Sequence, residues 1–114
     1  MTSTADPVYS LGGQKIFVAG HAGMVGSALM RRLTVENCEV IKTPHKTLDL
    51  TRQSDTEDYI AGNKPDVIIV AAAKVGGILA NSRYPADFLY DNLAIGMNII
   101  RAAHICGVKR LLWL

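Results

Sequence analysis

Short β-branched runs alternate with helix-period segments along this 114-residue chain, and that alternation restricts the fold more than any other feature. Residues 15–19, KIFVA, form an apolar run closed by glycine, the pattern of a strand buried on both faces. Apolar residues then recur at Met24, Val25, Ala28, Leu29 and Leu33, predicting a helix over 24–33. Residues 39–41 read as a second strand, ended by Pro44, which cannot donate to a central ladder. Residues 54–61 read as a short helix, with Ser54 as N-cap and Glu57 at capping-box spacing. The apolar run at 66–71 is the strongest strand. After a glycine-bearing loop, Pro85 stands at a first-turn position and introduces a helix over 86–105, with Phe88, Leu89, Leu93, Met97, Ile100 and Ala103 on adjoining faces and Gly107 as its C′ residue. Residues 109–114 begin a fourth strand. Such alternation builds an α/β parallel sheet with right-handed crossovers and helices on both faces. The expectation is a doubly wound sheet in the order 3-2-1-4, with its crevice between the first and fourth strands.

Composition narrows the class. Hydrophobic residues make up 49% of the chain and charged ones 19%, enough apolar surface to fold a single domain. Twelve basic and ten acidic residues are too balanced for a nucleic-acid-binding arm, so no nucleic-acid partner is expected. The longest apolar run, 67–73, is far short of the ~20 residues that span a bilayer, so no membrane association is expected either. Residues 1–14 carry neither a basic n-region nor an apolar h-region and read as a flexible lead-in, not a signal peptide. Cys38 and Cys106 lack the spacing of a metal or redox site. A disulfide between them is an alternative to a reduced pair of small buried hydrophobes, the reading expected of a cytoplasmic protein. An apolar fourth strand at the end of a sheet leaves an edge that proteins avoid, so 15–114 is expected to be the front part of a longer domain.

The first strand runs directly into Gly20-His21-Ala22-Gly23-Met24-Val25-Gly26, a GxxGxxG that opens the first helix. A dinucleotide fingerprint needs this strand–turn–helix context. Gly20 suits the tight turn, Gly23 a close approach of backbone to a pyrophosphate, and Gly26 close packing of helix on strand. The alternative is a glycine turn that binds nothing. After the second strand, where an NAD enzyme places an acid on the ribose 2′-OH, this chain has Lys42, His45 and Lys46 instead. Positive charge there suits a 2′-phosphate and hence NADP, or it is a solvated basic turn. Asp49, beside Leu50, is placed to accept from an adenine amino group. Ala71, Ala72 and Ala73 keep side chains small where a cofactor would cross the sheet, though plain packing explains alanines equally well. His21 either touches the cofactor or caps the helix. Lys74 is placed for substrate or a neighbouring carboxylate, His104 suits the helix dipole, and Asn92 and Asn98 are expected to bond backbone from the long helix.

The stretches KIFVAGHAGMVGSALMRRL, LDL, AAAKVGGILANSRYPADFLYDNL and NIIRAAHICGVKRLLWL closely resemble the GDP-L-fucose synthases, extended short-chain dehydrogenases/reductases of Rossmann type. The nodulation sugar epimerases of rhizobia are similar. The resemblance implies an NADPH-dependent enzyme that epimerises C3 and C5 of a GDP-bound 4-keto-6-deoxymannose and then reduces C4, a nucleotide-sugar substrate, and a homodimer in the full-length protein. It implies cofactor contacts at Gly20 to Gly26 and His45 to Leu50, with Ala71 to Gly77 matching the segment that passes near the nicotinamide side of the cleft. Where that family has an arginine that clamps the 2′-phosphate, this chain has Ala22. Its other basic position appears as His45, with Lys46 beside it and Lys42 or Arg83 placed to compensate; NAD is not excluded. The family's catalytic Ser, Tyr, Lys, Cys and His all fall beyond Leu114, and no Tyr-x-x-x-Lys occurs, so no catalytic residue is assigned and residues 1–114 alone are expected to be inactive. Two alternatives stand beside it: another extended reductase of nucleotide sugars, and a non-catalytic dinucleotide sensor.

Overall fold

A computed structural model describes residues 9–21, 23–41, 48–71 and 85–114, the side chain of Phe88 excepted. The elements run β1 (Lys15–Ala19), α1 (Met24–Leu33), β2 (Glu39–Ile41), α2 (Gln53–Asn63), β3 (Val67–Val70), α3 (Pro85–Cys106) and β4 (Arg110–Trp113). All three strand pairings are parallel.

The strand order is β2-β1-β3-β4, not the expected 3-2-1-4. The chain runs from β1 to β2 in one direction, then returns across β1 and continues from β3 to β4 in the other. Right-handed crossovers that reverse direction must change face. Accordingly α1 covers one face, where Leu33 packs with Ile16, Val18, Val67 and Ile69. On the other face α2 and α3 bury Ile60, Ile95, Ile99, Ala102 and Ala103 against Phe17, Ala19, Ile68 and Val70. The physical reason for the order is in the strands themselves. All four residues of β3 are buried, as a central strand requires, whereas Glu39 of β2 is exposed and suits an edge. The point where direction reverses, and therefore the crevice, lies between β1 and β3 rather than between the first and fourth strands.

Helix phases differ from the sequence expectation in detail. In α1 the buried stripe is Gly26, Leu29, Met30 and Leu33, while Met24 and Val25 point to solvent. In α3 the sheet takes Ile95, Ile99, Ala102 and Ala103 and leaves Leu89, Leu93, Met97 and Ile100 exposed. Ser54 is not a cap: Arg52 holds the N-cap position of α2, and the buried Thr56 hydroxyl lies 2.9 Å from the Arg52 carbonyl. Gly107, at φ +72°, closes α3 as expected. Its N–H donates to the His104 carbonyl (3.3 Å) and that of Val108 to Ala103 (2.9 Å), a Schellman pairing. Cys106, the last residue of α3, is exposed rather than buried; Cys38 is half-buried, and both are free thiols.

At the opposite end of the sheet Asp66 ties three strands. Its Oδ2 accepts from the Lys15 N–H (2.9 Å), its carbonyl from Lys109 and Arg110 N–H, and its own N–H donates to Lys15 (2.7 Å). Within the lead-in, Tyr9 and Leu11 pack on the α1-side core, and the Arg110 guanidinium lies 4.7 Å from the Tyr9 ring centre.

Tyr59 meets Phe17 edge-on, with ring centroids 5.1 Å apart. Burial raises its phenol above the ordinary tyrosine value. The fold therefore favours the protonated ring, a contribution present below about pH 10 and lost as pH rises through the raised value. Urea titrations across pH 9 to 11 are expected to show stability falling more steeply in the wild type than in Tyr59→Phe. Equal slopes would mean that the phenol titrates alike in folded and unfolded chains.

Candidate functional site

The C-terminal ends of β1 and β3 lie side by side, joined by the Ala71 N–H donating to the Ala19 carbonyl (2.8 Å). There β1 enters the glycine turn. Gly20 has φ +89°, a conformation that favours glycine, and so the chain reverses sharply off the strand. The Gly23 N–H donates to the Gly20 carbonyl (3.3 Å), and the Gly23 carbonyl accepts the first helical bond, from the Ser27 N–H (2.8 Å). A side chain at Gly26 would run into the Gly20 carbonyl, its Cβ lying 2.7 Å from that carbonyl carbon and 3.0 Å from the His21 Cα. The first turn of α1 is thus drawn against the end of β1, at a distance that only glycine permits.

This geometry fits a phosphate. Gly23 is the N-cap of α1 and supplies no side-chain cap. The first-turn N–H groups of Met24, Val25 and Gly26 precede the first i−4 bond, and any helix leaves such groups open. Met24 is 87% exposed, so the approach to them is clear. No acidic residue stands in the first turn, while Arg31 and Arg32 occupy the last, so the helix dipole meets no competing carboxylate at its positive end. His21 is half-buried beside the turn.

Asp49 and Leu50, the second stretch expected from the sequence to meet the cofactor, lie in the turn before α2. The Asp49 Oδ1 accepts from the Thr51 hydroxyl (2.6 Å) and N–H (3.0 Å), and its carbonyl from the Arg52 N–H (3.0 Å). The Leu50 carbonyl lies 3.3 Å from the Thr56 hydroxyl and 2.9 Å from the Asn98 amide nitrogen. Asn98 does bond backbone from the long helix, as expected. Sequence reasoning missed Thr56, whose only signal is its i, i+4 pairing with the buried Ile60. Ala71 follows β3 at the crevice and is half-buried. Of the predicted site residues, the structure describes Gly20, His21, Gly23, Met24, Val25, Gly26, Asp49, Leu50 and Ala71. Ala22, His45, Lys46, Ala72 and Ala73 lie outside the described residues, as do Lys42, Lys74, Gly77 and Arg83. Among the described residues no cluster of three His, Cys, Asp or Glu is assembled, and no helix is long and apolar enough to cross a membrane.

Residues 16–114 match the NAD dependent epimerase/dehydratase family, and the chain belongs to that family. It is 53% identical over 108 residues to a GDP-L-fucose synthase of Sinorhizobium fredii (strain NGR234), a match covering 95% of this chain and 34% of that protein. It is 55% identical over 102 residues to GDP-L-fucose synthase 1 of Arabidopsis thaliana, covering 88% and 31%. Among solved structures, DdhaC superposes with TM-score 0.85 at 45% identity, covering 89% of this chain and 29% of that one. MlghC, a GDP-mannoheptose C4 reductase from Campylobacter jejuni with NADP bound, superposes with TM-score 0.83 at 31% identity, covering 89% and 30%. The chain spans about a third of the length of the curated relatives it matches.

Proposed function

We propose that residues 15–114 are the cofactor-binding part of an NADPH-dependent enzyme that epimerises C3 and C5 of GDP-4-keto-6-deoxy-D-mannose and reduces C4, yielding GDP-L-fucose. The observation that carries this reading is the Gly20–Gly26 approach, which aims the open N-terminus of α1 into the crevice between β1 and β3. The identity to GDP-L-fucose synthases along almost the whole chain supports the substrate class. When bound, the nicotinamide supplies the hydride for C4.

The chain's own residues hold that group. Backbone N–H groups of Met24, Val25 and Gly26 receive the pyrophosphate, Gly20 and Gly23 bring the backbone close to it, and His21 and Ala22 are assigned to the same contact. His45 and Lys46 are assigned to the ribose 2′-phosphate by their charge, and Asp49 and Leu50 to the adenine. Ala71, at the end of β3, and Ala72 and Ala73 after it in sequence are assigned to the cofactor because their side chains are small. No residue from 1 to 114 is assigned to proton transfer, so this part binds cofactor without turning substrate over. The full-length enzyme is a cytoplasmic homodimer in this reading, for which the exposed Leu89, Leu93, Met97 and Ile100 of α3 offer apolar surface.

Calorimetric titration with NADPH and NADH tests the cofactor assignment, and NADPH is expected to bind more tightly. Removing one charge-assisted contact by Lys46→Ala costs about 1.5–3 kcal/mol, which is at least roughly tenfold in NADPH affinity, and leaves NADH unchanged. Equal affinities for the two cofactors, both untouched by Lys46→Ala, would refute the 2′-phosphate contact. Absence of binding by a folded chain would refute the cofactor site.

A further inference from the structure

We propose that Asn98 is a positioning residue for the adenine end of the cofactor, acting through the Leu50 carbonyl; this rests on the reading of Asp49 and Leu50 given above. Asn98 lies in the middle of α3, 48 positions from Leu50 in sequence, yet its Nδ2 reaches the Leu50 carbonyl at 2.9 Å. The Thr56 hydroxyl approaches the same carbonyl at 3.3 Å, but it has one proton and lies closer, at 2.9 Å, to the Arg52 carbonyl. Asn98 is therefore the principal donor that Leu50 receives from another helix.

What hangs on that bond is a small rigid unit. In front, Asp49 is tied to Thr51 through side chain and backbone, and its carbonyl accepts from the Arg52 N–H. Behind, the Leu50 side chain packs on the core cluster that contains Ile95 and Ile99 of α3. The turn cannot tilt about Leu50 while the amide holds the carbonyl, because a tilt would break the bond and lift Leu50 from the core. Asn98 thus sets the height of Asp49 over the sheet without reaching the ligand itself. An uncharged donor suits the place: it satisfies a partly buried carbonyl and adds no charge beside the proposed adenine carboxylate.

The test separates the two halves of the cofactor. NADPH, adenosine 2′,5′-bisphosphate and reduced nicotinamide mononucleotide are titrated into the chain and into Asn98→Ala, with amide NMR dispersion to confirm folding. Asn98→Ala is expected to weaken NADPH and the bisphosphate by about three- to tenfold, the worth of one hydrogen bond, and to leave the mononucleotide unchanged. In an Asp49→Ala background the same substitution is expected to add nothing to the loss of bisphosphate binding. Equal weakening of all three ligands overturns the proposal, as does the same loss with and without Asp49; Asn98 would then act on the fold alone. Asp49→Ala that leaves bisphosphate affinity intact is the separate failure of the adenine reading, and it removes the proposal with it. If Asn98→Ala does not fold, Asn98→Leu, close in size and uncharged but without the donor, is read against the same ligands.

Discussion

Gly26→Ala is expected to abolish most of the cofactor affinity of this chain, with a loss of at least tenfold for NADPH and NADH alike. The obstacle is backbone: the new methyl would overlap the Gly20 carbonyl. A flexible side chain could swing aside, but Gly20 already sits at φ +89° at the end of a buried strand, where its carbonyl has little freedom. The first turn of α1 must back away instead, carrying the N–H groups of Met24 and Val25 out of the crevice. Overpacking of this kind costs about 1–3 kcal/mol in stability, and the displaced donors account for the lost binding. Gly62→Ala is the control. Nothing lies within 4 Å of a Cβ at that position of α2, and exchanging glycine for alanine in a helix stabilises by about 1 kcal/mol. Titration of both variants decides the matter. A Gly26→Ala chain that binds like wild type would show that the helix-to-strand approach does not aim the loop.

The largest loss of stability is expected from Phe17→Ala. Phe17 heads the fully buried side chains and sits on β1 with strands on both sides. It touches the cluster shared by β3, α2 and α3 and meets Tyr59 edge-on. Truncation removes about 3–5 kcal/mol, a large part of the 5–15 kcal/mol typical of a domain. Urea unfolding is expected to show a midpoint shifted far down with its slope kept. Leu112→Ala, on a residue 52% exposed, should move the midpoint little by comparison. A Phe17→Ala chain within about 1 kcal/mol of wild type, roughly a third of the smallest loss expected for such a truncation, would mean that the two-helix face is not the main core.

Several parts of this architecture were legible without coordinates because they are local. The run at 15–19, the glycine turn and the helix from Met24 are encoded by neighbours a few residues apart, and all occur where the pattern puts them. Pro85 at the start of α3 and Gly107 at its end mark boundaries through their own backbone preferences. Helix faces were less legible. Met24, Val25 and Leu93 share a helical period with the core yet face outward, because rotation about the helix axis is set by contacts made elsewhere: Gly26 on Gly20, and Ile95 and Ile99 on the sheet. Gly96 is a further case. A Cβ there would come within 2.6 Å of the Trp113 indole, a constraint that exists only once β4 is in place.

Local residue patterns were enough to make this an α/β chain of alternating strands and helices, with a glycine turn after the first strand and a basic stretch after the second. Those features follow from side-chain period, glycine and charge over short spans. The packed fold alone settled which strands are neighbours. It put β3, not β4, beside β1, moved the crevice to that junction, and brought Asp66 to three strands and Asn98 to Leu50. Such pairings depend on the direction and handedness of the crossovers, and on which strand is buried on both sides. No window of neighbouring residues contains either.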